Sequence, residues 1–202
     1  MSKRWIPSIL MLLTLLGAAK PAASEHVVFA GGCFWGVQAV FENLRGVTNT
    51  VAGFAGGAQA TAHYEMVSTG LTGHAESVEV TYDPSLISFH DLLKVYFLVA
   101  HDPTELNHQG PDYGSQYRSS IFYTTPAQKS QAEAYIAELE KAKTFPAPIV
   151  TKVVPLDGFY EAEACHQHFM DHNPNYPYIV QEDRPKIDNL HARFPELLKS
   201  SS

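Results

Sequence analysis

His26-Val27-Val28-Phe29-Ala30-Gly31-Gly32-Cys33-Phe34-Trp35-Gly36 changes period in mid-stretch, and the rest of the fold is read outward from that change. Up to Ala30 the residues form a short apolar run of strand type. Beyond the glycine pair, Val37, Val40, Phe41 and Leu44 recur at helical spacing and stop before Gly46, a signal for a helix C-terminus. A strand near 26–30 and a helix over 34–45 are therefore expected, with Cys33 where one ends and the other begins.

The same reading places strands near 48–56, 76–82, 119–123 and 149–155, and helices over 88–99 and 126–143. Shorter helices are expected near 160–171 and 185–193. The clearest strand is 76–82: Ser77, Glu79 and Thr81 fall on one face, Val78, Val80 and Tyr82 on the other, and Pro84 ends it. The order β-α-β-β-α-β resembles the split βαβ arrangement. The expected class is α+β, a ferredoxin-like α/β sandwich with helices packed on a mixed sheet. No internal repeat, low-complexity tract or interdomain linker interrupts residues 25–202, which are read as a single domain with an extended C-terminal tail.

Residues 1–24 have a different character. Lys3 and Arg4 precede the apolar run Ile9–Leu16, and Ala22-Ala23-Ser24 supplies small residues before Glu25, the layout of a signal peptide. The apolar run is shorter than the roughly 20 residues a membrane span needs, and no cysteine near the cleavage site suggests a lipid anchor. Export to the periplasm or the extracellular space is expected, with no stable membrane span after processing. Cleavage would remove Lys3, Arg4 and Lys20 but no acid, leaving 11 basic against 21 acidic side chains. An acidic surface without a basic stripe excludes a nucleic acid partner, whose phosphates require Lys and Arg.

Cys33 reads as a reactive thiol. Glycines on either side leave its sulfur approachable, and the N-terminus of the following helix offers unpaired N–H groups and a dipole that favour a thiolate. That dipole is worth roughly 0.3–1 kcal/mol, against about 1.4 kcal/mol for each tenfold change in ionisation, so a partner group is required. Three other chemistries remain open on the residues alone. Cys33 could be an acyl-transfer nucleophile with His74 or His101 as base, as in a cysteine hydrolase. Cys165, His168 and His172, at i, i+3 and i+7 of a helix, could hold a soft metal ion. A non-catalytic redox or binding module is the third.

Gly32-Cys33-Phe34-Trp35-Gly36 resembles the active-site signature of the A-type peptide methionine sulfoxide reductases, which reduce the S epimer of methionine sulfoxide. Four further segments agree, in order: Gly53-Phe54-Ala55-Gly56-Gly57; His63-Tyr64-Glu65-Met66-Val67; Gly73-His74-Ala75-Glu76 leading to Tyr82-Asp83-Pro84; and His101-Asp102-Pro103 leading to Asp112-Tyr113-Gly114-Ser115-Gln116-Tyr117-Arg118-Ser119. The likeness runs from about Val27 to about Pro195. It implies the same fold and a catalytic domain. Cys33 is then the nucleophile, Glu76 the proton donor, Tyr64 and Tyr117 hydrogen-bond donors to the sulfoxide oxygen, and Asp112 a support for the pocket. Phe34 and Trp35 would hold the substrate methyl group. Burial of Glu76 would raise its pKa and keep it protonated, and phenols suit a developing oxyanion because they donate without charge.

Oxygen transfer leaves a sulfenic acid on Cys33, which condenses with a second thiol. Many relatives carry recycling cysteines in a C-terminal tail, whereas Asn173–Ser202 contains none and Cys165 is the only other thiol. Cys165 can be read as a resolving cysteine, an inert cysteine or half of a structural disulfide with Cys33. The resemblance implies no bound cofactor or metal, an external thiol donor of thioredoxin type, and oxidised proteins or free methionine sulfoxide as substrate. A monomer is expected.

Overall fold

The computed structural model describes residues 23–200. The expected leader lies outside the described residues, save for its last two positions. Among the described residues no helix is long and apolar enough to cross a membrane.

The chain runs through β1 (Glu25–Ala30), α1 (Phe34–Glu42), β2 (Val47–Ala55), the single turn α2 (Tyr64–Val67), β3 (Ala75–Tyr82) and α3 (Phe89–Val95). A small hairpin, β4 (His108–Gln109) and β5 (Asp112–Tyr113), precedes β6 (Ser120–Tyr123), α4 (Pro126–Lys141), β7 (Lys152–Pro155) and β8 (Phe159–Glu161). The short α5 (Phe169–His172) and α6 (Arg184–Arg193) complete it. The main sheet has the order β7-β6-β1-β3-β2-β8. Its four central strands are antiparallel, with β6 beside β1 and β3 between β1 and β2, which is the ferredoxin-like order. β7 joins β6 in parallel and makes the sheet mixed.

Packing follows from the alternation of β3. Val78, Val80 and Tyr82 are fully buried against the helices, while Glu79 and Thr81 are only partly covered. Phe29 of β1 stacks on Phe41 of α1 at 4.9 Å and on Tyr96 at 4.8 Å, so strand and helices share one aromatic core. On the other face, the small side chains of Ala30, Ala55 and Ala75 pack with Val28 and Phe122. Glu76 has the same parity as Val78 and Val80. The strand that builds the core therefore also carries a carboxyl group into it.

Three elements differ from expectation. α1 ends at Glu42, where the Asn43 side-chain amide donates to the Ala39 carbonyl. The helix expected over 88–99 passes after Val95 into a wider π-turn over Tyr96–Ala100, and the Tyr96 hydroxyl donates to the Ala30 carbonyl at 2.7 Å. The helix expected over 160–171 is absent. In its place stand β8, a 3-10 turn over Ala164–His166, His168 in the left-handed region at φ 52°, and α5. The Gln167 amide holds this segment against β2: its Oε1 accepts from Ala52 N–H at 2.9 Å, and its Nε2 donates to the Ala52 carbonyl at 2.8 Å. A side chain thus continues the sheet edge where β8 stops.

The tail is packed. Leu198 forms an antiparallel bridge with Leu44, and the π-turn at Ile179–Asp183 leads into α6, which lies against α1.

Candidate active site

Cys33 is the residue before the first turn of α1, reached through Gly32 at φ +88°, a conformation that only glycine adopts without strain. The sulfur is more enclosed than the sequence suggests, with the residue 8% exposed. Burial pushes the Cys33 thiol well above its ordinary range, the Glu76 and Asp183 carboxyls add to the rise, and a backbone hydrogen bond from Trp35 and the charge of Lys186 oppose it. The expected preference for a thiolate is therefore outweighed: desolvation of an anion exceeds what one helix terminus returns.

Glu76 stands at the start of β3 and is 2% exposed. Its Oε2 accepts from the Phe34 backbone N–H at 3.1 Å, which ties the carboxyl to the residue next to Cys33. Burial pushes its pKa up to about 8; the Phe34 hydrogen bond opposes the rise and the charge of Asp112 adds to it. At neutral pH both Glu76 and Cys33 carry their protons. A carboxylic acid and a thiol thus share one dry corner.

A cleft of 160 Å³ opens over them, lined by Cys33, Trp35, Tyr64, Glu76, Asp112 and Tyr117, with Tyr176 and Tyr178 from the C-terminal segment. This is the size of a side chain, smaller than the roughly 300 Å³ at which cofactor pockets begin. Burial raises the phenols of Tyr64 and Tyr117, and nearby Glu76 raises both further. They remain neutral hydrogen-bond donors. The Tyr178 hydroxyl donates to Asp112 Oδ2.

The two aromatic residues after Cys33 diverge. Trp35 lines the cleft, stacked on Phe169 at 3.7 Å, edge-on to Tyr178, its indole N–H donating to His166 Nδ1 at 3.3 Å. Phe34 is buried beneath, 5.8 Å from Phe54 and 6.3 Å from Tyr64 between ring centres, and is not among the lining residues. Its contribution to the cleft is its backbone N–H.

Of the residues named from the sequence, the structure places Cys33, Trp35, Tyr64, Glu76, Asp112 and Tyr117 around one cleft; Tyr176, Tyr178, Asp183 and Lys186 are not among those named. Those four carry no local motif. A second cavity of 300 Å³ is also lined by Cys33 and Tyr178 and includes His101, Glu182 and Lys186. Lys186 Nζ pairs with Asp183 Oδ1 at 3.0 Å.

The competing chemistries find less support. His101 uses both ring nitrogens: Nδ1–H donates to the Tyr96 carbonyl at 3.0 Å and Nε2 accepts from Ser119 Oγ at 2.7 Å. Burial lowers its pKa to about 4, so it is a poor base for Cys33. His74 lies outside both cavities that contain the sulfur, with Nε2 3.0 Å from the Ala58 carbonyl. The metal reading of Cys165, His168 and His172 fails with the helix that was to carry it. The close group of metal-type side chains among the described residues is instead Glu42, His168 and Asp171. Cys165 is exposed and, like Cys33, a free thiol, so no disulfide joins them. It lines a separate cavity with His63, Met66 and His166, which shares Tyr64 with the cleft over Cys33.

A sequence model described as peptide methionine sulfoxide reductase matches residues 25–197. Peptide methionine sulfoxide reductase MsrA 2 of Mesorhizobium japonicum is 58% identical over 86% of this chain and 89% of its own length. Among solved structures, methionine sulfoxide reductase A of Corynebacterium diphtheriae superposes with a TM-score of 0.66 at 36% identity, covering 77% of each chain. Reduced Mxr1 of Saccharomyces cerevisiae reaches 0.70 at 30% identity, covering 82% of this chain and 94% of its own; Mxr1 has also been solved in complex with Trx2. With the thiol, the buried acid and the phenol-lined cleft in the family's order, the chain belongs to the peptide methionine sulfoxide reductase family.

Proposed function

We propose that this chain reduces methionine-S-sulfoxide, free or in oxidised proteins, by nucleophilic attack of Cys33 on the sulfoxide sulfur. The observation that carries the reading is the Glu76 carboxyl, protonated at neutral pH and tied to the Phe34 N–H beside Cys33, under a cleft of side-chain size. Trp35 receives the apolar methyl group, and Tyr64 and Tyr117 donate to the oxygen. Asp112, bonded to Tyr178, holds the far wall.

The step balances without an added redox group. Cys33 Sγ attacks the substrate sulfur, the Glu76 proton moves to the departing oxygen, and the thiol hydrogen replaces it on Glu76. The S–O bond breaks on the substrate and forms on Cys33. Methionine leaves, its sulfur reduced by two electrons, and Cys33 becomes a sulfenic acid, oxidised by two. An external dithiol of thioredoxin type then attacks Cys33: its first sulfur displaces the oxygen as water, and its second releases the Cys33 thiol and a disulfide. Cys165, opening into a different cavity, favours direct reduction by that donor over an internal relay. The leader-like residues 1–24 support export, and a monomer suffices for all the groups named.

Cys33→Ser should lose all turnover, while Cys165→Ser should form one methionine per Cys33 in the absence of reductant. Only the S epimer should be consumed. Steady-state activity in Cys33→Ser, or equal consumption of both epimers, would refute the reading. Mass spectrometry after one equivalent of substrate distinguishes a sulfenic acid on Cys33 from a bond to Cys165. Sequencing the N-terminus of the exported protein checks for Glu25.

A further inference from the structure

α1 carries a glycine in its first turn, at a position where alanine would stabilise an isolated helix by about 1 kcal/mol. The reason is a close approach from the C-terminal segment. A Cβ on Gly36 would overlap the Asp183 carboxylate and lie 2.9 Å from Lys186 Nζ. Asp183 is 0% exposed, its Oδ1 bonded to Lys186, its Oδ2 buried without a hydrogen-bond partner. Such a carboxylate is costly to keep. What it holds is Lys186 Nζ, close against the first turn of the helix that Cys33 begins, in the wall of the second cavity.

Taking Cys33 as the nucleophile proposed above, we infer that Lys186, held by Asp183 in the space left by Gly36, is a positioning residue that stabilises negative charge on the Cys33 sulfur from the wall of the second cavity.

The surroundings leave that task to Lys186. In the cleft of 160 Å³ the sulfur is accompanied by Glu76 of β3, Asp112 of β5 and the phenols of Tyr64, Tyr117, Tyr176 and Tyr178, none of them cationic. In the second cavity stand His101, kept neutral by burial, the acids Asp102, Glu105 and Glu182, and Lys186, the only lysine or arginine lining either cavity. The thiolate appears twice in the cycle: as the attacking sulfur, and as the leaving group when the donor's second sulfur breaks the mixed disulfide. A fixed cation assists both, because a leaving thiol departs faster as its pKa falls. Asp183 opposes Lys186 at the sulfur while fixing its position, so the two charges should act on the thiol in opposite directions.

The test is alkylation of Cys33 by iodoacetamide, an uncharged reagent, in a Cys165→Ser background across pH. Lys186→Met should slow alkylation at pH 8 about tenfold and displace the rise of the profile to higher pH. Lys186→Arg should restore most of the rate, and the isosteric Asp183→Asn should accelerate it. Thermal unfolding establishes that each variant is folded. An unchanged profile in folded Lys186→Met, a shift of the same sign in Lys186→Met and Asp183→Asn, or no recovery in Lys186→Arg would overturn the inference. A Cys33 that alkylates as described but consumes no sulfoxide would break the catalytic reading instead.

Discussion

Residues 25–123 and residues 156–198 build the same site by different means. The first region places Cys33 and Glu76 on regular elements, one at the start of α1 and the other on the inward face of β3, tied by the Phe34 N–H. The second reaches the site through short helices and turns: Phe169 of α5 stacks on Trp35, Tyr178 bonds Asp112, and Asp183 of the π-turn and Lys186 of α6 pack against Gly36. In the proposed reaction the regular scaffold holds the groups that exchange protons and oxygen. The irregular segment sets how dry and how charged their surroundings are, and the burial it supplies helps keep both protons in place.

If that division holds, the largest loss after Cys33 itself should come from Glu76. Glu76→Gln should slow the single-turnover rate about 10²–10³-fold with little change in substrate binding, the usual worth of a positioned acid. Wild-type turnover should fall as pH rises through about 8, where Glu76 loses its proton, and Glu76→Gln should lack that limb. Stability gives a second readout with a definite sign. The folded-state pKa lies above the ordinary carboxyl value of 4.5, so the contribution of the bound proton is whole below that value and is lost as pH rises toward about 8. Glu76→Gln should therefore gain on wild type in denaturant midpoint over that window. A constant difference across it would mean that Glu76 does not titrate as a buried acid.

The contrast between the regions also governs what the sequence discloses. β3 is legible because Val78, Val80 and Tyr82 alternate, and α1 because Val37, Val40 and Phe41 recur on one face. Both patterns are local, and the pairing of β1 with β3 follows from the order of elements. Cys33 and Glu76 are legible with them, lying at element ends where the family motif falls. Residues 160–171 mislead for the opposite reason. Glu161, Ala162, Glu163 and Ala164 are good helix formers, yet β8 pairs with β2 and Gln167 completes the edge at Ala52, contacts more than 100 residues away in sequence. Non-local pairing overrides propensity there. Tyr178 and Asp183 are missed with it, beside and within a π-turn that has no periodicity; Lys186 lies on α6, a helix the sequence does anticipate, and is missed because a residue is assigned to a site only when its neighbours in space are known.

Tyr178→Phe probes the second region directly and should cost less than Glu76→Gln. It removes the hydroxyl that bonds Asp112 while leaving the ring edge-on to Trp35. A hydrogen bond to a charged group contributes about 1.5–3 kcal/mol, part of which water can replace in an open cleft. A tenfold fall in single-turnover rate is expected, at about 1.4 kcal/mol. An unchanged rate would confine the C-terminal segment to a covering role.

The smallest effect is expected at the contact line between the regions. Gly36→Ala adds one methyl group to α1, and helix propensity alone favours alanine by about 1 kcal/mol. The methyl, however, meets the Asp183 carboxylate, a side chain fully enclosed and fixed by Lys186. Overpacking of this kind costs about 1–3 kcal/mol, so a net destabilisation of about 1 kcal/mol should appear as a lower denaturant midpoint at unchanged slope. In an Asp183→Ala background the carboxylate is gone and Lys186 can swing away, so Gly36→Ala should there become neutral or stabilising. The coupling between the two substitutions isolates the contact from helix propensity. Stabilisation by Gly36→Ala in the otherwise native chain would mean that the C-terminal segment does not press on α1 and that the two regions are less tightly joined than their shared site requires.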